Sequence, residues 1–241
     1  MFEPPEPISD ELRRWFVDEL QRAKLDAMKE LAYGASHEIN NPLANIALRA
    51  QTLLKREDDP DKRKALEAMH RAAMRAHEMI SDLMLFARPP RLVKAPVDLC
   101  AVVKEVIAEL APRAESADTL LLIATPDTPL IANADASQLT VALRAVVDNS
   151  LDALGQGGEV RLATDEHRGE GVIRVIDNGP GVAKEIQPHV FDPFFSGREA
   201  GRGLGFGLSK CWRIVTDHGG NVRLDSEPGQ GVTVTITLPK G

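Results

Sequence analysis

Apolar residues recur at every third or fourth position through the first third of the chain, and at every second position near its end. Leu66, Met69, Ala73, Ala76, Ile80, Leu83 and Ala87 follow a three-four spacing, and Ile39, Leu43, Ile46, Ala50 and Leu53 follow another. Each is one apolar seam on a helix that needs partner helices. Between them REDDPD (56–61), with its charges and Pro60, predicts a hairpin turn. Two antiparallel helices cover only part of their apolar faces, so the pattern predicts that two hairpins pair into a four-helix bundle in a homodimer. A lead-in helix is expected over 9–30, with Ser9 or Asp10 as its cap.

The character changes at RPPRLVKAP, where prolines interrupt all periodicity. Helices are then expected over 98–111, 136–154 and 205–217, the first two capped by Asp98 and Asp135. Strands are expected over 119–125, 158–164, 171–177, 220–226 and 231–238. In the last strand Val232, Val234, Ile236 and Leu238 share one face, which suits a sheet covered by helices on one side. The expected organisation is a linker helix over 1–29, a dimerisation hairpin over 30–88, a linker over 89–96 and an α+β domain over 97–241.

Composition narrows the function. The net charge of −7 argues against nucleic acid as a partner. No run approaches the apolar length of a membrane span, and the start MFEPPEP lacks the features of a secretion signal. Cys100 and Cys211 stand far apart, as expected for two buried thiols in a reducing cytoplasm.

Four segments carry candidate chemistry. SHEINNPL (36–43) sets His37 beside Glu38 and off the seam, so an imidazole nitrogen is free to accept a group while Glu38 holds the other N–H. AVVDNSLDAL (145–154) puts Asn149 and Asp152 on one helix face as oxygen donors of the kind Mg²⁺ accepts. At DNGPG (177–181), glycines 179 and 181 let backbone pass close to a flat ligand, and Asp177 can accept from an exocyclic amine. GRGLGFGL (201–208) runs a glycine-rich approach into a helix start, which suits phosphate, although its spacing fits neither a Walker loop nor a Rossmann turn. Taken singly, each also fits a plain structural role: a surface His–Glu pair, a polar stripe, a turn, a loop. His70, His77, His167, His189 and His218 carry no such pattern; the first two lie beside the seam, the others in or near loops.

In this order, together with FDPFFS (191–196), the segments resemble the phospho-acceptor, N, G1, F and G2 boxes of the histidine kinases of two-component signalling. The resemblance spans roughly 30–240. It implies a dimeric hairpin followed by an α/β-sandwich ATP domain shared with gyrase- and MutL-type ATPases. It further implies that His37 receives the γ-phosphoryl of ATP with help from Glu38, and that Asn41 helps water attack the phospho-aspartate of a response regulator receiver domain. Asn149 would ligate Mg²⁺, Asp152 would lie by the nucleotide, Asp177 would bind adenine, and Gly179 and Gly181 would border the base. Residues 194–204 would form a lid, with Phe195, Arg202, Gly203, Leu204 and Gly205 near the nucleotide and Arg198 as a second candidate for phosphate charge. One departure stands out: Ala145 replaces the second Asn that many members carry. Two rivals stay open, a phosphatase acting mainly on the regulator and a non-catalytic dimeric scaffold.

Overall fold

The computed structural model describes residues 19, 20, 23, 27, 38–87, 89–193, 195 and 205–240. The lead-in helix expected over 9–30 falls outside these, apart from four helical positions. The chain forms two compact units, Met1–Pro89 and Pro90–Gly241.

The first unit is a hairpin of helix α1 (38–54) and helix α2 (Pro60–Ala87). Its turn is closed from both sides. The Asp59 carboxylate accepts from the N–H groups of Asp61 at 2.9 Å and Lys62 at 3.4 Å, capping α2, whose first residue is proline. Arg63 donates to the carbonyls of Leu54 and Glu57, both at 2.9 Å, and so covers the exposed end of α1. Ala47, Ala50, Ala73 and Leu83 are buried, while Ile39, Ile46 and Leu53 are 43%, 49% and 57% exposed. These three recur every seven residues, so the predicted α1 seam divides into an inner edge and an outer apolar stripe. His77 is not idle: its Nδ1 lies 3.0 Å from Asn40 Oδ1, joining the two helices.

The second unit runs β1 (Ala95–Asp98), α3 (Leu99–Ser116), β2 (Leu120–Ala124), β3 (Ile131–Ala134), α4 (Ala136–Leu154), β4 (Glu159–His167), β5 (Glu170–Asp177), a 3₁₀ turn (Gln187–His189), α5 (Gly207–Asp217), β6 (Asn221–Ser226) and β7 (Val232–Pro239). Five strands form a mixed sheet in the order β2-β4-β5-β7-β6, with β2 parallel to β4 and the other pairs antiparallel. Along β7 the residues at 232, 234, 236 and 238 are buried and their neighbours half-buried, as the alternation predicts. Leu99, Val103, Leu139, Leu143, Ile214 and Ile236 are all fully inaccessible, and each such side chain contributes roughly 1.5–3 kcal/mol. Asp98 and Asp135 cap α3 and α4 as expected, accepting from the N–H of Cys100 at 3.0 Å and of Gln138 at 3.2 Å.

Two features depart from the sequence reading. Helix α3 continues through Pro112 to Ser116, because the lost backbone bond is offset by seating Ala114, 2% exposed, in the core. Strands β1 and β3 form a separate antiparallel pair, Ala95 opposite Ala134, that four-residue segments were too short to announce. Residues 90–94 are fastened down before β1 begins. The Val93 N–H donates to Asp135 at 3.0 Å, Gln138 donates to the Pro90 carbonyl at 3.2 Å, and Lys94 donates to the His218 carbonyl at 2.9 Å.

Candidate functional site

Helix α4 meets the end of β5 at a buried carboxylate. Asp177, 5% exposed, closes β5. Its Oδ1 accepts from the N–H of Gly179 at 3.0 Å and of Val232 at 3.2 Å, and its Oδ2 accepts from Ser150 Oγ at 2.8 Å. The donors fix the carboxylate and leave a lone pair on Oδ2 for an amine. Glycine holds this turn open for two reasons. At Gly179 a Cβ would stand 2.9 Å from Asp177 Oδ1 and displace the carboxylate. At Gly181, with φ of +72°, a Cβ would collide with the Glu227 carbonyl at 2.2 Å. The second glycine is thus required by the protein's own backbone.

Ser150 adjoins Asn149, so one turn of α4 carries both the hydroxyl that steadies Asp177 and the half-buried amide expected to meet a metal. Ser150 escaped the sequence reading. Its signal was there: it interrupts the apolar positions Leu143, Val146, Val147 and Leu151 with a polar group, which needs a buried partner. Asp152 turns to α3, where Arg113 Nη2 lies 2.5 Å from its carboxylate, and the same guanidinium grips Asp148. Ala145 is buried, 7% exposed, and its carbonyl lies beside the start of α5: a Cβ on Gly207 would sit 3.7 Å from it.

The segment that follows Val182 is braced. Gln187 donates to the carbonyls of Val182 at 2.8 Å and Ser226 at 2.9 Å. His189 Nδ1 lies 2.9 Å from the Asp192 carboxylate, and its ring is 6.0 Å from that of Phe195, which is half-buried. Gly205 follows with φ of +72° and leads into α5. Arg198, Arg202, Gly203 and Leu204 lie outside the described residues, as does His37. In the hairpin, Glu38 and Asn41 are exposed on α1. His218, placed by its sequence context near a loop, is 1% exposed. Its Nδ1 donates to the Ile214 carbonyl at 2.8 Å and its Nε2 accepts from the Asp135 N–H at 2.9 Å, so it is a structural residue.

A cavity elsewhere, lined by Pro96, Ile131 and Asn133, is flanked by Lys94 and Lys240. Both ammonium groups are engaged, with the His218 carbonyl and Glu166. Chemically, the α4–β5 junction offers what an adenine nucleotide requires: a fixed acceptor, a close-approach turn and an oxygen donor for a cation.

Comparison with known proteins agrees. Residues 27–91 match the model of the His Kinase A (phospho-acceptor) domain, and residues 134–241 that of the histidine kinase-, DNA gyrase B- and HSP90-like ATPases. Sensor histidine kinase ZraS of Escherichia coli K12 is 33% identical over 94% of this chain, and AtoS of the same strain is 32% identical over 91%. These alignments cover 49% and 36% of the two proteins, so the chain spans half or less of the length of either. Among solved structures, full-length ShkA in complex with AMPPNP superposes with a TM-score of 0.75 at 26% identity, covering 87% of this chain and 45% of ShkA.

Proposed function

As the chain belongs to the histidine kinases, carrying their phospho-acceptor and ATPase-type domains, we propose that it phosphorylates its own His37 from ATP and passes the group to an aspartate of a response regulator. The observation that carries the nucleotide half is the Asp177 carboxylate, buried and held by three donors, one of which is Ser150, the residue next to Asn149 on α4. In this reading Asp177 accepts from the adenine amine beside the turn at Gly179 and Gly181. Asn149 offers the amide oxygen for Mg²⁺, which when bound neutralises phosphate charge. Gly203 and Gly205 lie near the phosphates, Arg202 offsets their charge, and Phe195 and Leu204 border the nucleotide.

His37 gives an imidazole lone pair to the γ-phosphorus as the bond to the departing ADP oxygen breaks. Glu38 accepts a hydrogen bond from the N–H on the other side of the ring, which keeps the tautomer correct, stabilises the positive charge that develops and gives that proton an acceptor. No water has to be activated, which accords with Ala145 at a position that supplies no base. Transfer rests on in-line positioning and charge neutralisation. Asn41, exposed one turn beyond His37 in sequence, cannot accept phosphoryl but can orient water, which suits a second, regulator-phosphatase activity. The outer stripe of Ile39, Ile46 and Leu53 supports a homodimer, since a partner hairpin would take these side chains out of water. Among the described residues no helix is long and apolar enough to cross a membrane.

Incubation with γ-labelled ATP and Mg²⁺ tests this. Label stable to base and labile to acid, absent from His37→Gln, is the expected result. Failure of the unaltered protein to take up label, with ATP binding intact, would favour the phosphatase.

A further inference from the structure

We propose that Arg113 is a positioning residue for the triphosphate end of the nucleotide, acting by cancelling the charge of two carboxylates that flank Asn149; the inference rests on the nucleotide reading above.

Arg113 lies in the last turn of α3 and reaches α4 with both arms. Nη1 binds Asp148, and Nη2 lies 2.5 Å from Asp152. These carboxylates are four residues apart on α4, a spacing at which like charges repel, and Asn149 follows the first of them. A second arginine completes the cluster: Arg144 binds Glu109 at 2.6 Å and approaches Asp148 at 3.5 Å. Two arginines against three carboxylates leave one net negative charge. Without Arg113 there are two, beside a site meant for a polyphosphate.

A purely structural role is the weaker account. Arg113, Asp148 and Asp152 have side-chain exposures of 43%, 30% and 42%, and ion pairs this wet contribute little to folding. Charge acts at longer range. Asn149 is a neutral ligand and brings no charge of its own, so the affinity for a magnesium–polyphosphate depends on the field its surroundings set. One unit charge at nucleotide distance in partly hydrated protein changes affinity about five- to tenfold. In this arrangement Asp152 serves the nucleotide through its charge, in contact with Arg113.

Three variants of the whole chain test the idea, by titration with Mg-ATP and by rates of label incorporation. Arg113→Met is expected to raise Kd and KM for Mg-ATP about five- to tenfold, with kcat within about twofold. Arg113→Lys, which keeps the charge and loses the fork, should stay within about twofold of the unaltered protein on the same electrostatic argument. The double variant Arg113→Met with Asp148→Asn restores the original net charge while removing the ion pairs, and affinity should return. If the double variant binds as weakly as Arg113→Met, the pairs act by holding helices together and the inference is overturned. It is equally overturned if Arg113→Met binds like the unaltered protein, or if Lys fails as Met does. Absence of Mg-ATP binding by the unaltered protein would overturn the nucleotide reading, and this inference with it.

Discussion

Ser150 and Asp177, 27 residues apart in the chain, share a buried 2.8 Å hydrogen bond that ties α4 to the end of β5. Both are at least 95% buried, at 3% and 5% exposure, so neither group can exchange its partner for water. The bond links the carboxylate that would hold a base to the helix turn that would hold a metal.

Ser150→Ala therefore leaves Asp177 short of one donor. A hydrogen bond to a charged group contributes about 1.5–3 kcal/mol, so unfolding of the second unit should shift by an amount of that order. Affinity for ATP should fall with it, because the acceptor loses its fixed direction. Calorimetric titration and thermal melts of the variant check both; unchanged binding would mean that Asp177 does not face the ligand.

His37 and Asn41 separate two activities of one helix turn. Asn41→Ala should leave label uptake within about threefold, or roughly 0.7 kcal/mol of barrier, and slow dephosphorylation of a phospho-regulator about tenfold or more. Parallel loss of both would make Asn41 a residue that shapes α1.

The outer stripe of α1 gives a clean test of assembly. Ile46 is 49% exposed in the single chain, so Ile46→Glu is expected to give a folded monomer by sedimentation, the buried partner surface alone being spoiled. Leu83, at 8% exposure, lies inside the hairpin, and Leu83→Glu should unfold it instead. An unaltered protein sedimenting as a monomer at micromolar concentration would remove the bundle.

Acid should loosen the start of α4. The hydroxyl of Ser137, then the N–H of Val93, hold the Asp135 carboxyl well below its usual 3.8, at about 2. A carboxylate depressed in the folded state stabilises above its unfolded value and loses that contribution as pH falls through the folded one. The second unit should thus lose roughly 2 kcal/mol between about pH 4 and pH 2, and Asp135→Asn should flatten that part of the curve. Denaturant melts at stepped pH read it directly.

The hairpin, the sheet face of β7 and both aspartate caps were legible because each leaves a local, periodic mark. Ile39, Leu43, Ile46, Ala50 and Leu53 announced one seam, yet its division into an inner and an outer edge depends on where α2 lies, which no spacing in α1 records. Strands β1 and β3 were hidden because four residues do not establish an alternation. Asp177 and Asn149 were legible as candidates from their motifs. Ser150, His218 and Arg113 were not singled out, since their partners lie 27, 83 and at least 35 residues away and exist only once the helices have packed.

Both cysteines are sealed in the second unit. Cys211 is wholly inaccessible, and burial pushes its thiol up to about 12, while Cys100, 3% exposed, sets its sulfur 3.3 Å from the Thr164 hydroxyl. A thiol reagent cannot reach either sulfur as long as the fold holds. The native chain is thus a silent background for maleimide probes: one cysteine introduced at an exposed position reports from that position alone, and any labelling of the unaltered protein reports unfolding.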